Sequence, residues 1–174
     1  MRKNDPTHDV YKTMRSPIGE LTLVASDRGL CEILWRSHRE RGYRPDARED
    51  ARHPVLLQAE RELREYFAGQ RKTFDVALDL RGTDFQLRVW RELLEIPFGE
   101  TRTYGEIARR LGDVKATRAV GAANGRNPVP IIAPCHRVIG ASGDLVGFGG
   151  GLDVKAQLLD LERGARSFDF DRPG

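Results

Sequence analysis

The chain has 174 residues, enough for one substantial core or two small ones, and its 39% hydrophobic and 32% charged residues are an ordinary globular balance. No apolar run approaches the roughly 18 residues that a bilayer-crossing helix needs, and the opening MRKNDPTHDV follows two basic residues with polar ones rather than an apolar core, so it does not read as a secretory signal and a cytoplasmic protein is expected. The net charge of +3 and a pI near 9.1 incline the chain toward an anionic partner rather than a cationic one.

From Pro17 to Trp35, apolar and polar positions alternate around Ser26-Asp27-Arg28-Gly29, which predicts two strands joined by a turn. Cys31 sits in the second of them beside Leu30 and Ile33 and is expected to be structural. His38 to Arg52 is crowded with charge and has no apolar period, and is expected to be a solvated loop. Val55, Ala59, Leu63 and Phe67 recur at one-turn spacing, predicting a helix from Pro54 that ends at Gly69, and Phe74 to Leu80 reads as a third strand. Phe85, Val89, Leu93 and Ile96 line one face of a further helix that Pro97-Phe98-Gly99 stops. The fold class expected is α+β. A small N-terminal α/β domain of antiparallel strands plus a helix spans residues 1–80, and residues 81–84 are a linker. A mainly helical C-terminal domain with a helix-turn-helix spans 85–165, and 166–174 form a polar tail. There is no internal repeat.

Thr103, with Glu106 three residues on, forms a capping box, and Tyr104, Ile107, Ala108 and Leu111 make the apolar stripe of a short helix ended by Gly112. After Asp113-Val114, residues Ala116, Ala119, Val120 and Ala123 repeat at the same spacing and turn Thr117, Arg118, Gly121 and Ala122 to the other side. Two short helices about a glycine turn suit a DNA-binding helix-turn-helix, and the same pattern occurs in ordinary helix pairs. A face of Gly, Ala and Thr lets a backbone approach a groove closely while reading few base edges. Arg118 could contact phosphate or fill the gap left by an extruded base.

The two cysteines, Cys31 and Cys135, are far apart in sequence, and free thiols are expected. None of the four histidines, His8, His38, His53 and His136, has the paired spacing with cysteine that marks a structural zinc site, so neither metal nor cofactor is expected. Residues 127–140 carry three prolines, Pro128, Pro130 and Pro134, that stiffen the approach to Cys135 and remove backbone donors. The histidine that follows, His136, can help to form the thiolate, directly or through a water or third group.

Pro134-Cys135-His136-Arg137-Val138, with Arg118-Ala119-Val120-Gly121, Asn127-Pro128-Val129-Pro130 and the downstream glycine-rich loop, closely resembles the O6-alkylguanine-DNA alkyltransferase family over Phe85 to Gly164. The resemblance implies direct-reversal repair: irreversible, single-turnover transfer of a methyl or larger alkyl group from O6-alkylguanine, and from O4-alkylthymine, to Cys135 in double-stranded DNA. It further implies that His136 deprotonates Cys135 through a water and that Glu162 orients His136. Tyr104 would rotate the target nucleotide and donate a proton toward the leaving guanine, and Asn127 would be the hinge between recognition helix and active-site segment. The DNA face would carry Arg118 as the finger replacing the flipped base, with Thr117, Ala119, Gly121 and Tyr104, and would enter the minor groove. Val138, Phe148, Gly149 and Asn124 would line the guanine pocket. A monomer in solution is implied, and cooperative assembly on DNA is left open.

Two positions depart from the family pattern, Asn124 and the loop Gly147-Phe148-Gly149-Gly150-Gly151. Both bear on alkyl-size preference. No Lys-Ser/Thr follows the loop, which excludes a phosphate cradle, and Val154, Leu158 and Leu161 are expected on the inner face of a last helix that presents Glu162. Three other readings stand beside this one: a protein that binds alkylguanine without transfer, a regulator using Cys135 as a redox sensor, and a thiol hydrolase. The retained cysteine, the small helix face and the DNA-binding pattern argue against each in turn.

Overall fold

A computed structural model describes residues 8–40, 46–164 and 168, and its contacts divide into two compact units, one running to Leu80 and including Phe168, the other beginning at Arg81.

The first unit is built on a four-stranded sheet in the order β3-β2-β1-β4. β1 (Val10–Met14), β2 (Leu21–Ser26) and β3 (Gly29–Trp35) are antiparallel, and β4 (Arg48–Glu49) adds parallel to β1. The central strand β2 is buried along Leu21–Ala25, as expected of a strand covered on both faces. The hairpin at Asp27-Arg28 is the one expected, and β1 was not anticipated. Helix α2 (Pro54–Phe67) is capped by His53, whose ring accepts from the Val55 amide. It turns Leu56, Ala59, Leu63, Tyr66 and Phe67 into the core, and Val55 takes no part in that buried face.

The structure corrects two expectations here. The segment read as a loop from His38 begins inside a short helix, α1 (Arg36–Glu40), and ends by pairing as β4, because backbone groups beside β1 can complete the sheet whatever side chains they carry. The strand expected over Phe74–Leu80 reduces to one parallel bridge, Leu30 to Leu78, with hydrogen bonds Leu30 N to Ala77 O and Asp79 N to Leu30 O. The chain runs so close to Gly29 that a Cβ there would lie 2.6 Å from the Ala77 carbonyl oxygen, so this contact requires glycine. Upstream, the buried Glu62 carboxylate accepts from the amides of Asp75 (2.7 Å) and Val76 (3.1 Å) and from Gln58, fixing the path without a ladder.

The second unit is helical. α3 (Asp84–Leu94) starts at a capping box of Thr83 and Gln86 and buries Val89, Trp90 and Leu93. α4 (Tyr104–Arg110) starts at the expected box of Thr103 and Glu106. A 3₁₀ turn (Val114–Ala116) leads into α5 (Thr117–Gly125), giving the helix-turn-helix. The inner face of α5 includes the polar Asn124, which a count of apolar positions omits. Ala119 is exposed rather than inward, and the buried set is Val120, Ala123 and Asn124. Two short parallel strands, β5 (Arg102–Thr103) and β6 (Val138–Ile139), bring the start of α4 beside the end of the cysteine segment. α6 (Leu152–Glu162) closes the unit, with Leu158 and Leu161 buried as expected and Val154 only half-buried. Among the described residues, no helix is long and apolar enough to cross a membrane. The expected tail 166–174 lies outside the described residues apart from Phe168, whose ring meets Phe67 edge-on at 6.0 Å.

α3 is fastened to α5 by the Trp90 indole, which donates to the Ala123 carbonyl at 2.9 Å in the buried interface. Trp90→Phe should cost about 1–3 kcal/mol by stranding that carbonyl, read as a lower urea midpoint by circular dichroism; an unchanged midpoint would mean the bond does not hold α5 in place.

Candidate active site

Cys135 opens a one-turn 3₁₀ helix, Cys135–Arg137, whose three side chains are all buried. Its approach is held by Asn127: the side-chain amide donates to the Ala133 carbonyl at 2.7 Å, and its oxygen accepts from the Val129 amide at 3.0 Å. Between these bonds Ile131 adopts φ = 75° while fully buried. A β-branched residue is strained there and keeps that conformation only where its surroundings over-determine it. The three prolines and Asn127 supply that constraint. The turn finishes through Cys135 N to Ala133 O (2.8 Å) and Arg137 N to Pro134 O (2.9 Å).

Burial pushes the Cys135 thiol up to about 11, despite opposing pulls from the Asn127 side chain, the Lys155 ammonium and nearby backbone amides. At neutral pH the sulfur carries its proton. His136 is fully buried and does not bond Cys135; its Nε2 meets Glu162 Oε2 at 2.5 Å, and its Nδ1 has no protein partner. Burial holds the imidazole below its ordinary pKa against the pull of Glu162. A neutral ring whose Nε2–H donates to the carboxylate has an unprotonated Nδ1, a base.

Glu162, at the last turn of α6, gathers the site. Besides His136 it accepts from Arg137 Nε (2.7 Å) and Nη2 (3.1 Å) and from the Gly99 amide (3.2 Å). Gly99 has φ = 81°, the left-handed conformation that glycine adopts without penalty. Burial would raise this carboxyl, but His136 and Arg137 outweigh it and hold it at about 2. Arg137 also donates to the Ile96 carbonyl at 2.6 Å and lies over the Phe98 ring.

Tyr104, at the first turn of α4, donates its hydroxyl to the Val146 carbonyl at 3.0 Å. Partial burial and the nearby Cys135 raise its pKa, and the Asn124 amide, which hydrogen-bonds it, works in the other direction. Asn124 itself is buried, with an Oδ1 that has no protein partner. Tyr104, Asn124, Asn127, Cys135, His136 and Glu162 thus form one cluster. Val138 is fully buried next to it. Phe148 is half-buried and Gly149 exposed in the loop before α6. Thr117, Arg118 and Ala119 are exposed along the start of α5, and a Cβ on Gly121 would reach the Tyr104 ring at 3.8 Å, an ordinary contact.

Two charged residues escaped the sequence reading. Arg137 was treated only as part of a motif. Lys155 was not considered, although its spacing with Leu158, Leu159 and Glu162 puts it on the inner stripe of α6, where a lysine is out of place. It is fully buried and donates to the carbonyls of Val138 (2.6 Å), Val146 (3.0 Å) and Gly147 (3.5 Å). Among the described residues, no group of three or more His, Cys, Asp and Glu is placed to hold a metal ion.

Residues 84–164 match the model of the 6-O-methylguanine DNA methyltransferase DNA-binding domain, and residues 10–80 match that of the same family's ribonuclease-like domain. The chain is 51% identical over 161 residues to a methylated-DNA–protein-cysteine methyltransferase of Mycobacterium tuberculosis, covering 92% of this chain and 96% of that protein. It is 49% identical to the protein of the same name from Methanosarcina acetivorans, over 87% of this chain and 97% of the relative. Among solved structures, it superposes on Mycobacterium tuberculosis OGT in complex with DNA with a TM-score of 0.83, at 51% identity over 91% and 95% of the two chains. An O6-methylguanine DNA methyltransferase from Methanococcus jannaschii matches with a TM-score of 0.63, at 31% identity over 94% and 100%. Matched by both domain models and by full-length relatives at about half identity, the chain belongs to the 6-O-methylguanine DNA methyltransferase family.

Proposed function

We propose that the protein repairs alkylated DNA by transferring the alkyl group of O6-alkylguanine, and of O4-alkylthymine, to Cys135 in a single irreversible turnover. The observation that carries this reading is the buried Cys135 thiol beside a neutral His136 whose Nε2 is engaged by Glu162 and whose Nδ1 is open as a base. Relatives named for this transfer and the complex of one of them with DNA support it.

With the thiol at about 11, the thiolate is roughly one part in ten thousand at pH 7. Deprotonation therefore accompanies attack. A water between the two side chains carries the Cys135 proton to His136 Nδ1, and Glu162 stabilises the imidazolium that forms. Sulfur bonds to the alkyl carbon as the carbon–oxygen bond breaks, and its electron pair passes to guanine. The Tyr104 hydroxyl, protonated at neutral pH, gives the leaving base a proton, and solvent carries the proton taken up by His136 back to the Tyr104 phenolate. The products are S-alkylcysteine and guanine. A thioether cannot exchange with another thiol, so each molecule acts once.

A base within the duplex lies beyond reach of a buried sulfur, so the nucleotide is turned outward. α5 presents small residues to the minor groove, where close approach matters more than base readout, and exposed Arg118 fills the vacated stack. Asn127 joins that helix to the cysteine segment. Val138, Asn124, Phe148 and Gly149 bound the pocket. The protein acts as a monomer in the cytoplasm.

Incubation with a duplex oligonucleotide containing one O6-methylguanine should add one methyl per protein, mapped to Cys135 by peptide mass, and none to Cys135→Ala; repeated turnover, or label elsewhere, would refute the reading. Arg118→Ala should slow transfer from duplex DNA by about 10-fold or more and leave transfer from the free base within about twofold. Equal losses on both substrates would remove its role as the finger. Acid titration checks the Glu162 network. With its folded pKa lowered to about 2, Glu162 contributes stability above the ordinary carboxylate pKa of 4.5, and that contribution is lost as pH falls toward 2. His136, held low by burial, adds a loss that begins below 6.5, where the unfolded chain takes up its proton first. Glu162→Gln should cost on the order of 3 kcal/mol at pH 7 and flatten the decline between pH 4.5 and 2 in urea unfolding; an unaltered slope would show that the carboxylate is not held by these partners.

A further inference from the structure

Among the described residues, two buried side-chain polar atoms have no protein partner, His136 Nδ1 and Asn124 Oδ1. The first serves as the base in the transfer proposed above. Buried polar groups are normally hydrogen-bonded, and one that is not calls for an explanation. Asn124 is only 4% exposed, on the inner face of α5 with Val120 and Ala123, where an apolar side chain would pack without burying an amide. Its one side-chain hydrogen bond among the described residues goes to the Tyr104 phenol.

Gly121 and Asn124 are three residues apart and share a face of α5. A Cβ on Gly121 would lie 3.8 Å from the Tyr104 ring, and one on Gly147 would lie 4.0 Å from its hydroxyl. The phenol therefore runs along α5 from Gly121 toward Asn124, with its oxygen beside the loop before α6. That oxygen has two partners of opposite kind. It donates its proton to the Val146 carbonyl at 3.0 Å, and it accepts from the Asn124 side-chain amide. A donor held on a phenol oxygen favours the phenolate, and here it opposes the burial that disfavours that form.

We propose that Asn124 is a positioning residue for protonation of the leaving base: its side-chain N–H holds the Tyr104 oxygen and stabilises the negative charge that gathers there as the phenol proton moves to a ring nitrogen of guanine. This rests on the transfer reading, which the wild-type protein tests separately. As the base seats, the hydroxyl exchanges the Val146 carbonyl for that ring nitrogen, while the Asn124 donor stays in place. The electron pair of the broken carbon–oxygen bond passes to guanine, the phenol proton follows it, and the phenolate keeps the pair of its own oxygen–hydrogen bond until solvent returns the proton from His136. Asn124 faces inward on α5, so its loss falls on the transfer step rather than on DNA association.

The experiment is single-turnover methyl transfer to Cys135 from a duplex containing one O6-methylguanine, with wild type, Asn124→Leu, Tyr104→Phe and the Asn124→Leu/Tyr104→Phe double variant. If wild type acquires no methyl on Cys135, the transfer reading fails. With wild type active, Asn124→Leu, which keeps the volume and removes the donor, should lower the transfer rate constant by about 10- to 100-fold and leave half-saturation by DNA within about twofold. The double variant should match Tyr104→Phe within about twofold, because the amide acts only through the phenol. Placing 3-fluorotyrosine, a more acidic phenol, at position 104 should restore part of the rate lost in Asn124→Leu. A wild-type rate in Asn124→Leu, multiplicative losses in the double variant, no recovery with the fluorinated phenol, or a loss in half-saturation alone would overturn the proposal. If Asn124→Leu does not fold, the side-chain amide decides: the Asn124 Nδ2 proton resonances of the 15N-labelled protein should move in Tyr104→Phe, and unmoved resonances would overturn the contact.

Discussion

The buried histidine and arginine of the cysteine turn both rest on one carboxylate kept ionised out of water. Glu162 accepts hydrogen bonds from His136, from two nitrogens of Arg137 and from the Gly99 amide, and these join the end of α6, the cysteine turn and the loop after α3. Burying such a charge is costly unless geometry and extra donors compensate. These bonds do so, and the one to His136 selects its tautomer. The carboxylate that ties these segments together is also the one proposed to orient the base, so both roles fall on a single group.

The helix-turn-helix pair and the segment that carries the sulfur are separated by very little chain. α5 ends at Gly125, Asn127 clamps the turn that follows, and the Trp90 indole fixes the Ala123 carbonyl one turn earlier. Tyr104 belongs to both regions: it starts α4, lies over Gly121 of α5, and reaches the loop before α6. α5 and the cysteine turn are thereby joined by direct hydrogen bonds across a short stretch of chain.

Much of this was legible in the residues themselves. The first hairpin, α2, α3 and the capping box at Thr103 carry strong local signals, apolar periodicity and cap chemistry, and they formed where those signals put them. What failed was decided by contacts distant in sequence. β4 is polar and short, and pairs only because the edge of β1 is beside it. Phe74–Leu80 has strand-like composition but is held by Glu62 and Leu30 in an irregular path. At the site, the motif around Cys135 pointed to Cys135 and His136, and the family resemblance to Glu162 and Tyr104. Ala119 was misplaced because the inner face of α5 is completed by the polar Asn124, which a count of apolar residues leaves out. Lys155 went unnoticed because periodicity was scored on apolar residues alone, whereas the deviation from the pattern was the informative part.

The neutral thiol has a consequence beyond the transfer itself. Peroxides, disulfides and small electrophiles react with sulfur anions far faster than with protonated sulfur, and with accessible groups faster than with enclosed ones. With burial raising the thiol to about 11, Cys135 offers such reagents little sulfur anion and little surface. A protein whose sulfur can be used only once is in this way shielded from adventitious inactivation, and keeps its reactivity latent until a base and a correctly seated lesion are present together.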